Sequence, residues 1–121
     1  MLFRSGDDLD MCRAPIKEFL ALYIGGMGAK EKNFYNEYTI KLGYEAEAHT
    51  IQDLYLSGHK REAVAAVPDS LVDEMSLIGP KERIRDRAQR WQEAAKNNQV
   101  GTMLVTAAQP EALNVLAETF L

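Results

Sequence analysis

Residues 22–35 constrain the fold most, because three glycines in four positions separate two apolar, aromatic-bearing helical runs. The first run ends at Ile24, and Gly25, Gly26 and Gly28 interrupt the pattern before the second run opens. Glycine tolerates positive φ and lets other groups approach the backbone closely. The stretch therefore predicts either a helix–helix corner or the wall of a pocket that a flat molecule enters.

Size and composition limit the classes of protein to consider. The chain has 121 residues, enough for one modest domain, with 46% hydrophobic and 26% charged residues as in globular proteins. Its net charge of −4 argues against nucleic acid or anionic lipid as a main partner. No apolar run is long enough to cross a membrane, and the first residues lack a secretory pattern. A single cysteine, Cys12, excludes an internal disulfide, so we expect a reduced, cytoplasmic setting.

Apolar residues recur every three or four positions along most of the chain, which predicts a mainly α protein with about seven helices. Glycines and prolines mark several of the boundaries. The predicted helices cover roughly residues 7–24, 30–42, 45–57, 60–67, 68–77, 80–97 and 110–121.

One segment, Gly101 to Thr106, predicts the only convincing β-strand, since Met103, Leu104 and Val105 form an unbroken apolar run. Residues 1–6 are too short to be more than an edge strand or a loose end. One strand cannot satisfy its own backbone hydrogen bonds. The order helix, strand, helix at the end of the chain therefore predicts the closing unit of an α/β barrel whose other strands are missing.

Several short blocks together resemble the C-terminal part of the luciferase-like monooxygenase superfamily, and most closely its deazaflavin (coenzyme F420)-dependent oxidoreductase branch. They occur in the family's order and span nearly the whole chain. The blocks are Leu22-Tyr23-Ile24-Gly25-Gly26-Met27-Gly28, Asn33-Phe34-Tyr35, Gly43-Tyr44, Gln52-Asp53-Leu54-Tyr55-Leu56-Ser57-Gly58, Ala65-Ala66-Val67-Pro68 and Leu77-Ile78-Gly79-Pro80.

The resemblance implies a single partial domain over residues 1–121, the C-terminal portion of a (β/α)8 TIM barrel and not a complete one. Residues 7–98 match the long helical region after the seventh strand, 101–106 the eighth strand, and 110–121 the last helix. The first six strands, which in the family supply most cofactor contacts and the catalytic residues, have no counterpart here. The family's short Ala-Gly turn before the last strand is also missing, so residues 95–100 predict a longer connection.

The best site candidates surround the glycine stretch. By resemblance, Gly25, Gly26, Met27 and Gly28, with Asn33 and Phe34, would lie near the C-terminal face of the barrel and bind cofactor or substrate. Backbone N–H groups freed by the glycines could meet a phosphate or a carboxylate. The alternative is a structural corner in which Asn33 caps the second helix.

A second candidate lies at Gly79 and Lys81, where a helix N-terminus and a lysine could hold an anion. The alternative is an ordinary helix start with proline at its first position. The spacing around His49 and Cys12 favours no metal site, and catalytic residues stay unassigned.

Two functions follow from these patterns. The first is a fragment of an oxidoreductase or monooxygenase that, when intact, transfers hydride between coenzyme F420, or alternatively FMN, and a small organic substrate. This fragment would be inactive alone and need not bind the cofactor. The second is a small helical module that self-associates, as a homodimer or otherwise, because pairing between copies would satisfy the lone strand.

Overall fold

In a computed structural model, residues 2–107 and 109–121 are described, and they form seven α-helices and three short strands. The chain divides into two compact units. The sheet unit contains residues 2–13 and 73–121, and the helical unit contains residues 14–72. The elements are β1 (Leu2–Ser5), α1 (Leu9–Gly26), α2 (Phe34–Lys41), α3 (Glu45–Leu56), α4 (Lys60–Ala65), α5 (Asp69–Met75), β2 (Ser76–Gly79), α6 (Lys81–Lys96), β3 (Thr106–Ala107) and α7 (Pro110–Phe120).

The sheet unit is built on a three-stranded parallel sheet in the order β2-β1-β3. The central strand β1 pairs with β2 along its length, from Leu2 opposite Ser76 to Ser5 opposite Gly79. On its other side Leu2 and Phe3 lie opposite Thr106 and Ala107 of β3. Parallel strands need long connections, and here the first connection contains the whole helical unit.

The apolar core of the sheet unit joins β1 and β2 to α6 and α7. Its buried members are Phe3, Leu77, Ile84, Ala88, Ala112, Val115 and Leu116, and Trp91, Met103 and Phe120 pack against them half-buried. Ile84, Ala88 and Trp91 follow the helical period along α6, so one apolar stripe of an otherwise charged helix meets the sheet.

The helical unit contains helices α2, α3 and α4, most of α1 and the start of α5. In α2 the buried residues are the polar Asn36 and Thr39. Each of the other helices of this unit contributes buried apolar residues, which are Ile16, Leu20, Ala21, Ile24, Ala48, Ile51, Ala63, Leu71 and Val72. Gly43 and Gly58 follow α2 and α3 at φ angles of 100° and 87°, as the predicted helix stops require. Pro15 lies inside α1, where it removes one backbone hydrogen bond.

The mainly α prediction and the count of about seven helices are confirmed among the described residues, and no closed barrel is present there. The prediction of a single strand is wrong, because β1 and β2 are also strands. The predicted helix over 68–77 extends too far, because Ser76 and Leu77 belong to the strand Ser76–Gly79, and a short apolar run does not distinguish strand from helix. Residues 2–5, for which the sequence predicts an edge strand or a loose end, form the central strand because they pair with both β2 and β3.

The predicted strand at 101–106 is also different in the structure. Only Thr106, with Ala107, has strand geometry, while Leu104 is 81% exposed and Val105 is 42% exposed. Residues 97–105 form the connection between α6 and β3, and whether it is longer than in the family stays a prediction. The assignment of residues 1–121 to a single partial domain stays a prediction. Among the described helices, none has the length and apolar character needed to cross a membrane.

Candidate functional site

The first two glycines of the candidate site lie in the last turn of α1, which continues to Gly26 and does not end at Ile24. An ideal Cβ on Gly25 would lie 2.5 Å from the Cβ of Tyr55, and one on Gly26 would lie 2.6 Å from Cε1 of the same residue. Real Cβ atoms do not approach other atoms so closely. Glycine at these positions therefore lets α1 and α3 pack directly against each other.

Gly28 follows the end of α1 and serves a different contact. Its φ is 153°, and a Cβ there would lie 2.5 Å from the carbonyl oxygen of Lys32. Met27, between the glycines, is 46% exposed. Gly28 thus permits the tight turn that leads into α2, and Met27 lies at the surface.

Two buried asparagines hold this corner together. Asn33 caps α2, since its Oδ1 accepts a hydrogen bond from the backbone N–H of Asn36 at 3.1 Å. Its Nδ2 donates to the carbonyl oxygens of Tyr23 and Ile24, each at 3.0 Å. The Nδ2 of Asn36 donates to the carbonyl oxygens of Ile24 at 3.1 Å and Ala48 at 2.9 Å. The capping role considered for Asn33 is confirmed, whereas Asn36 was missed because its partners come from distant helices.

The electrostatic polarity of this corner does not suit an anion. The last turn of a helix leaves carbonyl oxygens unpaired and carries the negative end of the helix dipole. The asparagine amides donate to those carbonyls, and Asn33 uses both its amide nitrogen and its amide oxygen in the corner. Binding of cofactor or substrate at Gly25–Gly28 and Asn33 stays a prediction, and the geometry supports a structural role for these residues.

Phe34 belongs to a row of aromatic side chains at the surface of the helical unit. It is 71% exposed, with its ring 5.7 Å from that of Tyr35 and 6.5 Å from that of Tyr38, the latter nearly parallel at 13°. Tyr35 meets Tyr23 edge to face at 4.8 Å, and Tyr23 lies 4.3 Å from Phe19. Phe34 is therefore an accessible apolar group and not part of the core.

The second candidate, Gly79 and Lys81, lies in the sheet unit where β2 leads into α6. Gly79 has a φ of 107°, and a Cβ there would lie 2.9 Å from Cδ2 of Leu9. The ammonium of Lys81 pairs with the carboxylate of Glu118, which Arg85 also contacts at 3.1 Å. The hydrogen bond from Lys81 is the main cause of a pKa below the ordinary value for Glu118. The charge of Lys81 is thus already engaged, and anion binding here stays a prediction.

The arginines of α6 form an arrangement that the sequence did not reveal. Arg13 holds the Asp73 carboxylate through two hydrogen bonds of 3.2 and 2.9 Å, and Arg83 adds a third at 3.3 Å. Arg87 donates to the backbone carbonyl of Asp73 at 2.9 Å, and Arg90 to the next carbonyl at 3.0 Å. The spacing of four and three residues between Arg83, Arg87 and Arg90 places them on one helix face. This spacing is the sequence signal from which the arrangement could have been inferred. Arg87 and Arg90 thus pair with carbonyls in the last turn of α5, where the chain passes directly into β2.

Metal ligands are not gathered in the part of the chain that the structure describes, since no group of three or more His, Cys, Asp and Glu side chains is placed to hold an ion.

Comparison with known proteins decides the family. The family model described as luciferase-like monooxygenase matches residues 5–97, which is most of the chain. The chain belongs to the luciferase-like monooxygenase family. Within this family, it is 39% identical over 111 residues to a protein of Mycobacterium tuberculosis whose name gives coenzyme F420-dependent oxidoreductase as an inferred activity. The match covers 92% of the chain and 31% of that relative, so the chain spans about a third of the relative's length. No solved structure gives a significant match.

The predicted site residues do not by themselves form a cradle for coenzyme F420. The glycines contact Tyr55 and Lys32, the amide of Asn33 is used inside the corner, and Lys81 pairs with Glu118. Met27 and Phe34 remain as exposed apolar groups.

Proposed function

We propose that this chain is the C-terminal portion of a luciferase-like oxidoreductase dependent on coenzyme F420, with FMN as the alternative cofactor. The observation that carries the proposal is the coverage: 92% of the chain aligns with the M. tuberculosis relative, but only 31% of the relative is matched. A chain of this length can supply only part of a (β/α)8 barrel.

The parallel direction of the strands in the sheet unit supports this assignment. The three strands are parallel, and helices α6 and α7 pack against them through a common core. Parallel sheets in which strands alternate with helices are typical of α/β barrels and doubly wound folds. The strand order is not that of a barrel segment, because strands that follow one another along the chain are neighbours in a barrel, whereas β1 here lies between β2 and β3.

The proposed reaction belongs to the intact enzyme, which would also bind the small organic substrate. When bound, the cofactor supplies the hydride chemistry, and the protein orients the reacting partners and excludes water. We propose that this chain alone neither binds the cofactor tightly nor turns it over, because most of the barrel is absent. The single cysteine, in the buried Cys12, favours a cytoplasmic setting.

A chimera tests the proposal. The 111 aligned residues of the M. tuberculosis relative would be replaced by those of this chain, and F420 binding would be measured by fluorescence for the relative, the chimera and this chain alone. We expect the chimera to bind F420 within about tenfold of the relative and the isolated chain to bind far more weakly. A folded chimera that does not bind F420 would contradict the proposed dependence on F420, and turnover of reduced F420 by the isolated chain would contradict its inactivity.

A second candidate is a self-associating module, and the exposure of Leu104 and Val105 beside β3 favours it. Large apolar side chains next to a sheet edge are typical sites of association between chains. Light scattering after size-exclusion chromatography would show the mass of two chains if this candidate is correct and of one chain if it is not.

A further inference from the structure

Helix α2 has polar residues on its buried face and aromatic residues on its outward face. Its buried residues are Asn36 and Thr39. In contrast, Phe34, Tyr35 and Tyr38 are 71%, 42% and 46% exposed. A helix at the surface of a complete globular protein shows the opposite arrangement, with its apolar stripe toward the core. The outward face of α2 is therefore the kind of surface that another part of a protein covers.

The exposed aromatic face extends from α2 onto α1 through ring contacts. Tyr35 meets Tyr23 edge to face at 4.8 Å, and Tyr23 lies 4.3 Å from Phe19, which is 40% exposed. We call these residues the aromatic row; its members are Phe19, Tyr23, Phe34, Tyr35 and Tyr38. All five belong to the helical unit. The row is therefore one continuous surface within that unit.

The size of the aromatic row limits what can cover it. A Phe or Tyr side chain buries roughly 150–250 Å² in a core, so the exposed fractions of the row correspond to roughly 400 Å². Exposed apolar patches of this size often mark contact surfaces. Stable interfaces between separate chains bury about 800 Å² from each partner, which is about twice what the row offers. A covalently connected segment needs less area, because it loses no freedom of a separate molecule when it docks.

We propose that in the intact enzyme the aromatic row packs against the portion of the protein that corresponds to the unmatched length of the M. tuberculosis relative. About two thirds of that relative lies outside the match, which is a connected segment long enough to cover the row. The covering surface is apolar, because the row offers aromatic rings, and its only side-chain hydrogen-bonding groups are the hydroxyls of its three tyrosines. This inference rests on the proposed function, since it requires that the chain is part of a longer enzyme.

The test compares this chain alone with the chimera of this chain and the M. tuberculosis relative. Hydroxyl-radical footprinting oxidises exposed side chains at rates that are read by mass spectrometry. We expect Phe34 and Tyr38 to be oxidised at least about fivefold more slowly in the chimera, because the core of a contact surface is closed to solvent. Leu113, a single leucine of α7 that is 51% exposed, is the control, and its rate should differ by less than about twofold. Slow oxidation of the buried Ile51 verifies that the helical unit is folded in each protein.

If Ile51 is oxidised rapidly in the chain alone, the comparison is made within the chimera, where Phe34 must be oxidised more slowly than Leu113 although phenyl rings react faster with the radical. Four results would overturn the inference. They are equal oxidation of Phe34 in the two proteins, equal protection of Leu113, protection that disappears on dilution and so comes from a second copy, and protection that requires added F420.

Binding of F420 is measured on the same chimera, so that the two proposals can fail separately. A chimera that binds F420 but leaves Phe34 and Tyr38 exposed contradicts the inference about the aromatic row alone. A folded chimera in which both side chains are protected but F420 does not bind contradicts the proposed dependence on F420 alone.

Discussion

Tyr55 of α3 packs its Cβ against Gly25 so closely that a Cβ on residue 25 would lie 2.5 Å away. The contact joins the end of α1 to α3 within the helical unit. The sequence suggests a ligand site at the glycine-rich stretch, but in the structure Gly25 and Gly26 allow α1 to pack against α3.

Substitution of Gly25 tests this role directly. Gly25→Ala should lower the free energy of unfolding by about 1–3 kcal/mol, because the strain of overpacking exceeds the gain in helix propensity. Urea denaturation measures the change. Gly101→Ala is the control, since a Cβ there meets nothing within 4 Å and should change stability by less than about 0.5 kcal/mol. A stabilised Gly25→Ala variant would show that α1 and α3 are not in close contact.

The amide of Asn36 should be important for stability although it is remote from any proposed chemistry. Asn36→Ala removes the donor to the carbonyls of Ile24 and Ala48, and we expect a loss of about 1–3 kcal/mol in the free energy of unfolding. The matched control is Asn114→Ala, at an exposed position of α7, where alanine should be neutral or slightly stabilising. Equal effects of the two substitutions in chemical denaturation would contradict the structural role.

The carboxylate of Asp73 should be a second stability determinant. The side chains of Asp73 and Arg13 are 18% and 15% exposed, so their two hydrogen bonds are largely shielded from solvent. Asp73→Asn should cost about 1.5–3 kcal/mol, with little dependence on salt concentration. Asp86→Asn, at an exposed carboxylate of α6, is the control and should change stability by less than about 0.5 kcal/mol. Denaturation at low and high salt distinguishes the two variants, and a salt-sensitive loss at Asp73 would contradict the shielding.

The pairing of Glu118 with Lys81 should appear in the pH dependence of stability. The pKa of Glu118 in the folded protein lies below its ordinary value of 4.5, so the carboxylate stabilises the fold above that pH. This stabilisation is lost as the pH falls through the lowered pKa. Lys81→Met should move the Glu118 titration, followed by NMR of its carboxyl carbon, back toward the ordinary value. Lys96→Met should leave the titration unchanged, and an identical curve in the Lys81 variant would disprove the pairing.

Self-association, if it occurs, should depend on Leu104. We expect Leu104→Lys to convert a two-chain species to a single chain in light scattering, because it places a charge at the exposed apolar segment beside β3. Leu113→Lys, on a 51% exposed residue of α7, should leave the mass unchanged. Persistence of the two-chain species in the Leu104 variant would place the interface elsewhere.

Much of the helical architecture could be predicted because its signals are local. The apolar period of α6, the glycines after α2 and α3 and the proline at the start of α7 each act within a few residues. The capping role of Asn33 was also within reach, since a cap depends on the residues that immediately follow it. The family likewise followed from short blocks in a fixed order, and the comparisons confirmed it.

The sheet and the candidate site could not be predicted in the same way, because both depend on partners far along the chain. Whether Leu2–Ser5 and Ser76–Gly79 are strands depends on their pairing with each other across more than seventy residues. The run Met103–Val105 has the apolar pattern of a buried strand, but Leu104 is 81% exposed.

The sequence by itself therefore determined the helix-rich character, most helix boundaries and the family of this protein, since these depend on periodicity, turn residues and local motifs. Only the tertiary structure decided which short apolar segments pair as strands, and that the glycines contact Tyr55 while Lys81 contacts Glu118. The reason is that strand pairing, close packing and ion pairing are interactions between distant segments, and the identity of each residue does not specify its partner.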